Sequence, residues 1–199
     1  MFDPDSTPAV VLGIDPGVSR CGYGAITRDG GTFRAIAYGV ISTPPADPLP
    51  ERLAALHREI ELLIVELAPT AMAVERVLFQ VNTRTAMSVG QASGLALALA
   101  GRAGVPVVQY SPNEVKLAVA GDGGAGKAEV QHMVTRLLSL AETPHPPDAA
   151  DALALALCHC WQAPLRAASQ GRGGGASPTA PDRLNAAIAA AVAKEKATR

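Results

Sequence analysis

Short apolar runs near the start of the chain predict three neighbouring strands. The run from Ala9 to Ile14 has the length and composition of a buried strand, and it ends at Asp15 because a proline–glycine pair follows. Residues 22–27 and 32–41 predict two further strands, joined by a turn at residues 29–31 whose Asp-Gly-Gly sequence is typical of antiparallel hairpins. The start of the chain therefore predicts an antiparallel meander.

Helices and strands alternate along the middle of the chain. From Glu51 to Leu67, apolar side chains recur with the period of an amphipathic helix. The later predicted elements are a strand at 70–74 that ends at Glu75, a helix at 83–103, a strand at 105–110, a helix that Ser111 caps and Pro112 begins, a helix at 127–140, and a last core helix from Pro146 to about Trp161. This order predicts the α/β class, with a mixed sheet covered by helices on both faces.

A change of composition near residue 164 predicts a boundary between a folded domain and a tail. Residues 1–163 carry the predicted strands and core helices, whereas residues 164–199 are rich in Gly, Pro and Ala. Within the tail, residues 171–180 have the composition of a flexible linker, and residues 183–196 predict at most an isolated helix that is marginal in water. The tail is also basic, with six Lys or Arg against two acids.

The net charge and its distribution along the chain do not decide whether the protein binds nucleic acid. The net charge of −1 removes the simple argument that a basic protein binds nucleic acid. The distribution is uneven, because residues 1–75 hold five Lys or Arg against ten Asp or Glu and residues 76–199 hold twelve against eight. A basic surface on the later half and ordinary solvated charge are both compatible with this pattern.

The expected location of the protein is the cytoplasm. The sequence has no run of roughly eighteen apolar residues as in a membrane helix, and acids stand near the N-terminus where a signal peptide carries basic residues. Three cysteines, Cys21, Cys158 and Cys160, are an odd number, which argues against a disulfide framework and suits a reducing compartment. On a helix, the run Cys158-His159-Cys160 would not converge on one metal ion, so burial in the core is favoured.

Four acidic residues stand at the ends of predicted elements. Asp15 ends the first strand and Glu75 ends the fourth, while Asp148 and Asp151 share one face in the first turn of the last core helix. Ligands of open α/β sheets gather at strand ends, and carboxylates brought together there repel one another unless cations neutralise them. An oxygen-only site of this kind suits Mg²⁺ or Mn²⁺, and two such ions can assist phosphodiester hydrolysis.

Each acid also has a purely structural interpretation that the sequence leaves open. Asp15 precedes Pro-Gly, where aspartate is a common turn residue. Glu75 has the alternative of an exposed strand end. Asp148 and Asp151 have the alternative of capping their helix, whose N-terminus favours negative charge. The functional interpretation therefore depends on the combination of the four acids.

Several motifs, in order along the chain, resemble those of the RuvC family of crossover-junction endonucleases. The matching strings are GIDPG at 13–17 with GYG at 22–24, VERV at 74–77, the segment 82–94 with GQA at 90–92, SPNEVK at 111–116, VQHMV at 130–134 and DAADALA at 148–154. The ordered set is specific, whereas GIDPG alone is a weak signal. The resemblance covers roughly residues 9–163 and leaves out the tail.

The resemblance implies an RNase H-like fold with a mixed five-stranded sheet, a homodimer, and a symmetric pair of nicks across a four-way (Holliday) junction. The nicks are expected to leave 5′-phosphate and 3′-hydroxyl ends, with a branch-migration complex as a further partner. The catalytic and metal-binding carboxylates that it implies are Asp15, Glu75, Asp148 and Asp151, with two Mg²⁺ or Mn²⁺ ions in each site. It implies DNA contacts for Lys116 and Lys127, which otherwise have the interpretation of solvated lysines.

The loop after Glu75 is expected to contact the junction. Family members place an aromatic residue there that stacks on an unpaired base, a contact worth about 1–3 kcal/mol. Leu78 and Phe79 occupy the candidate positions, and Phe79 is favoured over the alternative that it belongs to the core. Arg76 and Arg84 are candidates for phosphate binding, and Arg76 is the stronger because it adjoins the glutamate.

Alternatives from other classes remain open at this point. The GIDPG string also resembles the phosphate-binding hairpin of actin-like and sugar-kinase ATPase domains, although those folds need two such lobes. A non-catalytic module that binds four-way junctions would share the fold, but all four acids are present. A nuclease of RNA/DNA hybrids would share both fold and metal site, and only the substrate would distinguish it.

Overall fold

The computed structural model describes residues 9–29, 31–77 and 83–170. The strands found there are β1 (Val10–Asp15), β2 (Arg20–Asp29), β3 (Thr32–Ser42), β4 (Ala71–Glu75) and β5 (Val107–Tyr110). The helices are α1 (Leu49–Leu67), α2 (Thr83–Arg102), α3 (Pro112–Ala120), α4 (Lys127–Leu137) and α5 (Pro147–Gln170). The predicted order of strands and helices is thereby confirmed.

The five strands form one mixed sheet in the order β3-β2-β1-β4-β5. β1, β2 and β3 pair antiparallel, as the predicted meander requires, with Asp29 opposite Thr32 at the hairpin end. β4 joins β1 in parallel and β5 joins β4 in parallel. Each parallel neighbour is reached through a helix, because parallel strands need a long crossover connection.

Apolar side chains cover both faces of this sheet. Along β1, Leu12 and Ile14 pack with residues of α1 and α2, whereas Val11 packs with residues of α3, α4 and α5. This alternation follows from the two-residue period of a strand. The predicted mixed sheet with helices on both faces is confirmed.

Two predicted boundaries in the middle of the chain are wrong by two or three residues. β5 begins at Val107 rather than at residue 105, because Pro106 has no amide hydrogen to donate to the sheet. α4 ends at Leu137 rather than at residue 140, because Ser139 has a φ of 52°, which a right-handed helix does not contain. Ser111 caps α3 as predicted, with its hydroxyl accepting the amide hydrogen of Glu114.

The last helix is longer than predicted. α5 continues to Gln170 instead of ending near Trp161, so Pro164 lies within it. Proline removes one backbone donor, but the residues that follow it are mostly good helix formers. The division of the chain at residue 164 into a domain and a flexible tail stays a prediction, because residues 171–199 lie outside the described part. None of the described helices is long and apolar enough to span a membrane.

Glycines let α5 lie very close to β1 and β2. A Cβ atom at Gly13 would overlap the carbonyl oxygen of Ala152, and one at Gly22 would overlap the carbonyl oxygen of Asp148. Glycine within a strand often marks such a close backbone approach. The contact holds the first turns of α5 against the strand that ends at Asp15.

Candidate active site

The ends of β1 and β4 bring the first two candidate carboxylates together. Ile14 pairs with Val74 in the parallel ladder, so the residues that follow, Asp15 and Glu75, lie side by side at the carboxyl ends of the strands. The alternation of the strands directs both toward α5, on the face that Gly13 presents to that helix. The two carboxyl groups are close enough for Glu75 to raise the pKa of Asp15.

The first turn of α5 supplies the other two carboxylates. Asp148 and Asp151 are three residues apart, and the contact of Gly22 with Asp148 places this turn beside the end of β1. The charges of both aspartates act on the carboxyl group of Asp15. The structure thus gathers in one place the four acids selected from the sequence.

Burial and charge together make Asp15 hard to ionise. Its pKa rises from the ordinary 3.8 to about 8, first because burial removes water from the carboxylate. The hydrogen bond with Glu75 and the negative charges of Glu75, Asp151 and Asp148 raise it further. Such a pKa means that the cluster without cations holds a proton near neutral pH.

Two basic side chains neutralise the acids of α5. Nη2 of Arg20 donates to Oδ2 of Asp148 at 2.6 Å, and its Nε donates to the same oxygen at 3.2 Å. Nζ of Lys127 lies 2.7 Å from Oδ2 of Asp151. The hydrogen bond to Asp151 raises the pKa of Lys127, with burial opposing it and the aspartate charges adding to it.

Sequence reasoning selected Lys127 but missed Arg20. The predicted second strand began at residue 22, whereas β2 begins at Arg20. Side chains two residues apart on a strand point to the same face, so an earlier start would have placed Arg20 beside Gly22, facing α5. That period-two relationship is the signal that was available in the sequence.

The four carboxylates supply the oxygen ligands that hard divalent cations prefer, but they are not arranged as a complete metal site. Among the described residues, no three His, Cys, Asp or Glu side chains are grouped as metal ligands. Arg20 and Lys127 occupy one oxygen each of Asp148 and Asp151. The four carboxylates repel one another, and burial further disfavours the ionised form of Asp15. Bound Mg²⁺ or Mn²⁺ would neutralise these charges and remove the repulsion.

A cavity of about 270 Å³ adjoins the carboxylates. Its charged lining combines Glu75 and Asp151 with the two selected lysines, Lys116 of α3 and Lys127 of α4. The remaining wall is formed by Pro112, Val115, Val130, Ala154 and Leu155. Two acids that suit cations and two lysines that suit phosphate therefore line one open space.

The other residues predicted to contact DNA lie outside this cavity or outside the described part of the chain. The guanidinium of Arg76 donates to the backbone carbonyl of Gln109 at 3.0 Å and lies 3.9 Å from the carboxylate of Glu114. It is about half exposed, and its role toward DNA stays a prediction. Phe79 and Leu78 lie outside the described residues, as does the side chain of Arg84.

Two of the three cysteines belong to the core. Cys21 and Cys158 are buried, which confirms the predicted core position of at least one cysteine. Burial raises the pKa of Cys21 to about 12. His159 is also buried, and its Nδ1 lies 3.0 Å from the hydroxyl of Tyr110 at the end of β5.

The sheet order and the acids at the ends of β1, β4 and the start of α5 define the class of RNase H-like nucleases. Comparison with known proteins gives the family within that class. The model of the family described as crossover junction endodeoxyribonuclease RuvC matches residues 11–159. The chain belongs to the RuvC family.

Relatives of this family match most of the chain. The crossover junction endodeoxyribonuclease RuvC of Salinispora arenicola is 52% identical over 171 residues, which cover 83% of this chain and 98% of that protein. The RuvC of Chloroflexus aggregans is 49% identical over 153 residues, covering 77% of this chain and 93% of the relative. The structure of T. thermophilus RuvC in complex with a Holliday junction substrate has a TM-score of 0.75 and 40% identity, over 79% of this chain and 96% of that one.

Proposed function

We propose that this protein resolves Holliday junctions in recombination and DNA repair by cutting two equivalent strands at a metal-dependent site. The observation that carries the proposal is the meeting of Asp15, Glu75, Asp148 and Asp151 within a chain of the RuvC family. The solved T. thermophilus relative is described with a Holliday junction substrate, which supports the choice of DNA.

The four carboxylates are the proposed ligands of two Mg²⁺ or Mn²⁺ ions. When bound, such ions act as Lewis acids and lower the pKa of water, which phosphodiester hydrolysis requires. The carboxylates of β1, β4 and α5 would hold the ions, and the buried position of Asp15 would exclude bulk water from one side. Asp15 must lose its proton before it can ligate, so cation binding and proton release are coupled.

Lys116 and Lys127 are the proposed contacts to the DNA backbone near the cut. Both line the cavity beside Glu75 and Asp151, so a phosphate placed there would meet two positive charges. Lysine at such a position binds phosphate oxygens and stabilises the charge that develops as the bond breaks. Arg76 is proposed as a further phosphate contact, and Phe79 as the residue that stacks on an unpaired base.

Paired nicks require two equivalent sites. A homodimer supplies them, because its two-fold axis can coincide with that of a four-way junction. The chain described here contains one set of carboxylates, so we propose a homodimer as the active form. A branch-migration complex is the proposed further partner, and the cytoplasm the proposed location.

The test is cleavage of a labelled synthetic four-way junction beside linear duplex and an RNA/DNA hybrid. We expect symmetric nicks on the junction with Mg²⁺ or Mn²⁺ and none with chelator. Asp15→Asn is expected to bind the junction but to cut it at least about 10²-fold more slowly, because it loses a charged ligand. Glu129→Gln, which changes an acid in the first turn of α4, is the matched control and should cut normally.

Three results would contradict the proposal, each in a different way. Tight junction binding without nicks under either metal would indicate a non-catalytic binding module. Preferential cutting of the RNA/DNA hybrid would agree with the proposed metal site, but it would show that the substrate is a hybrid and not a junction. Equal loss of binding and cleavage in Asp15→Asn would count against a role in holding metal.

A further inference from the structure

Arg20 contacts Asp148, although Arg20 lies outside the quoted family motifs and was not among the predicted site residues. It is the first residue of β2, and two of its nitrogens bond to a single oxygen, Oδ2 of Asp148, at 2.6 and 3.2 Å. The side chain of Arg20 is 49% exposed and that of Asp148 is 26% exposed. The guanidinium therefore stands at the open edge of the carboxylate cluster and not in its interior.

The backbone that carries Arg20 is fixed relative to Asp148. Gly22, two residues later, touches the carbonyl of Asp148. Ser19, the residue before, accepts a hydrogen bond from the amide of Thr43 through its carbonyl and another from Arg52 through its hydroxyl. With the strand anchored on both sides, an exchange of partners by Arg20 requires movement of its side chain and not of its backbone.

Asp148 is a proposed metal ligand, and Arg20 occupies one of its two carboxylate oxygens. A divalent cation held by Asp148 would repel the guanidinium, because both charges are positive and the site is partly screened from water. Arginine cannot shed its charge by losing a proton. Displaced from Asp148, the guanidinium needs another anion, and its planar fork suits a phosphate.

We propose that Arg20 is a positioning residue that holds Asp148 while the site lacks cations and transfers to a DNA backbone phosphate when a cation takes Asp148. The inference rests on the proposed metal-dependent cleavage of junctions. A phosphate held near these carboxylates through cations comes within reach of Arg20, since the guanidinium already touches one of them. Metal binding and DNA binding are thereby linked through one side chain.

The first test measures Mn²⁺ binding by electron paramagnetic resonance of the protein without DNA. Arg20→Gln removes the competitor of the cation, so the Kd for Mn²⁺ is expected to fall about two- to fivefold, the range of an exposed ion pair. Arg20→Lys keeps the charge and should stay near the wild-type Kd. Arg58→Gln, which removes an exposed arginine from α1, is the matched control and should leave the Kd unchanged.

The second test measures junction affinity by fluorescence anisotropy with Ca²⁺ and with chelator, and a gel verifies that the junction stays intact. With Ca²⁺, Arg20→Gln is expected to bind the junction about three- to tenfold more weakly than wild type, because one phosphate contact is lost. With chelator the two proteins should differ much less, since Arg20 then stays on Asp148. Arg20→Lys should recover part of the affinity.

The outcomes separate this inference from the proposed function. Unchanged or weaker Mn²⁺ binding in Arg20→Gln would overturn the competition for Asp148. Suppose that Arg20→Gln binds Mn²⁺ more tightly. The proposed transfer of Arg20 to a phosphate would still be wrong if its junction affinity were unchanged, or if that affinity fell equally with Ca²⁺ and with chelator. A wild-type protein that neither bound Mn²⁺ nor cut junctions would refute the proposed function and the inference together.

Discussion

Asp15 and Glu75 lie side by side at the carboxyl ends of the parallel pair β1 and β4, where Glu75 helps to raise the pKa of Asp15. Burial is the largest cause of that rise, to about 8, so Asp15 holds a proton near neutral pH when no cation is bound. The site at rest is therefore a protonated pair with two further aspartates close by. This arrangement has consequences for stability and for metal binding.

The stability of the metal-free protein is expected to fall as pH rises from about 4 to about 8. The pKa of Asp15 is raised in the folded state, so its stabilising contribution is complete below the unfolded value of 3.8 and is lost as pH rises through about 8. Asp15→Asn cannot ionise and should be more stable than wild type at pH 8, by on the order of 2 kcal/mol. Urea unfolding with chelator between pH 5 and 8.5 measures the difference.

Saturating Mn²⁺ provides the control for that measurement. A bound cation favours the ionised form of Asp15, so the wild-type protein should no longer lose stability with rising pH in this window. If the wild-type and Asp15→Asn curves ran parallel in chelator, Asp15 would not be the group responsible.

Metal binding is expected to release a proton and to strengthen with pH. Below the pKa of about 8, the cation must displace the proton of Asp15, so the Kd for Mn²⁺ should fall about tenfold for each pH unit between 6 and 7.5. Above about pH 8 the Kd should level off. Isothermal titration calorimetry in two buffers of different ionisation enthalpy counts the protons, and a Kd independent of pH would contradict the protonated pair.

Gly22 is expected to be essential because α5 touches it. Gly22→Ala adds a Cβ that overlaps the carbonyl of Asp148, so α5 must shift and the protein should lose about 2–4 kcal/mol of stability and most of its cleavage activity. Gly94→Ala is the matched control, since open space surrounds that position within α2. It should be neutral or stabilising by up to about 1 kcal/mol. Thermal unfolding compares the two, and equal melting temperatures would refute the close contact.

Replacement of Lys116 is expected to slow cleavage while changing the stability of the protein little. Lys116→Gln shortens the side chain by one atom, keeps it polar and removes a charge from the cavity beside Glu75, so cleavage should slow by about 10–10³-fold while the melting temperature changes little. Arg136→Gln removes a positive charge from the exposed end of α4 and is the control. Single-turnover cleavage of the junction measures both, and similar rates for the two variants would exclude Lys116 from the site.

The sequence allowed the acids to be found because their signals are local. Asp15 and Glu75 stop apolar runs, and Asp148 and Asp151 share a helical face, so all four stand out as candidates, and the resemblance to the RuvC family selects them together. The order of the elements and the class of fold were predictable because their signals are local as well. The pairing of β4 with β1 was not predicted, because several sheet orders are compatible with the same order of elements.

Lys127 was selected as a DNA contact, but the pairing of Arg20 and Lys127 with the acids of α5 was not predicted, because it depends on contacts between distant segments. Arg20 meets Asp148 only because β2 starts two residues earlier than its apolar pattern indicates and because glycines admit α5. The raised pKa of Asp15 likewise results from burial by elements far apart in the chain. The extension of α5 past Pro164 depended on a balance between one missing donor and several helix formers, which composition alone did not decide.

The close packing of α5 on β1 and β2 also has a consequence during protein synthesis. Two of the four carboxylates belong to α5, which is made after every strand of the sheet. A nascent chain that has completed the sheet but still lacks this helix holds only Asp15 and Glu75 of the four acids. The proposed metal site is therefore complete only after the last described element of the domain has been made.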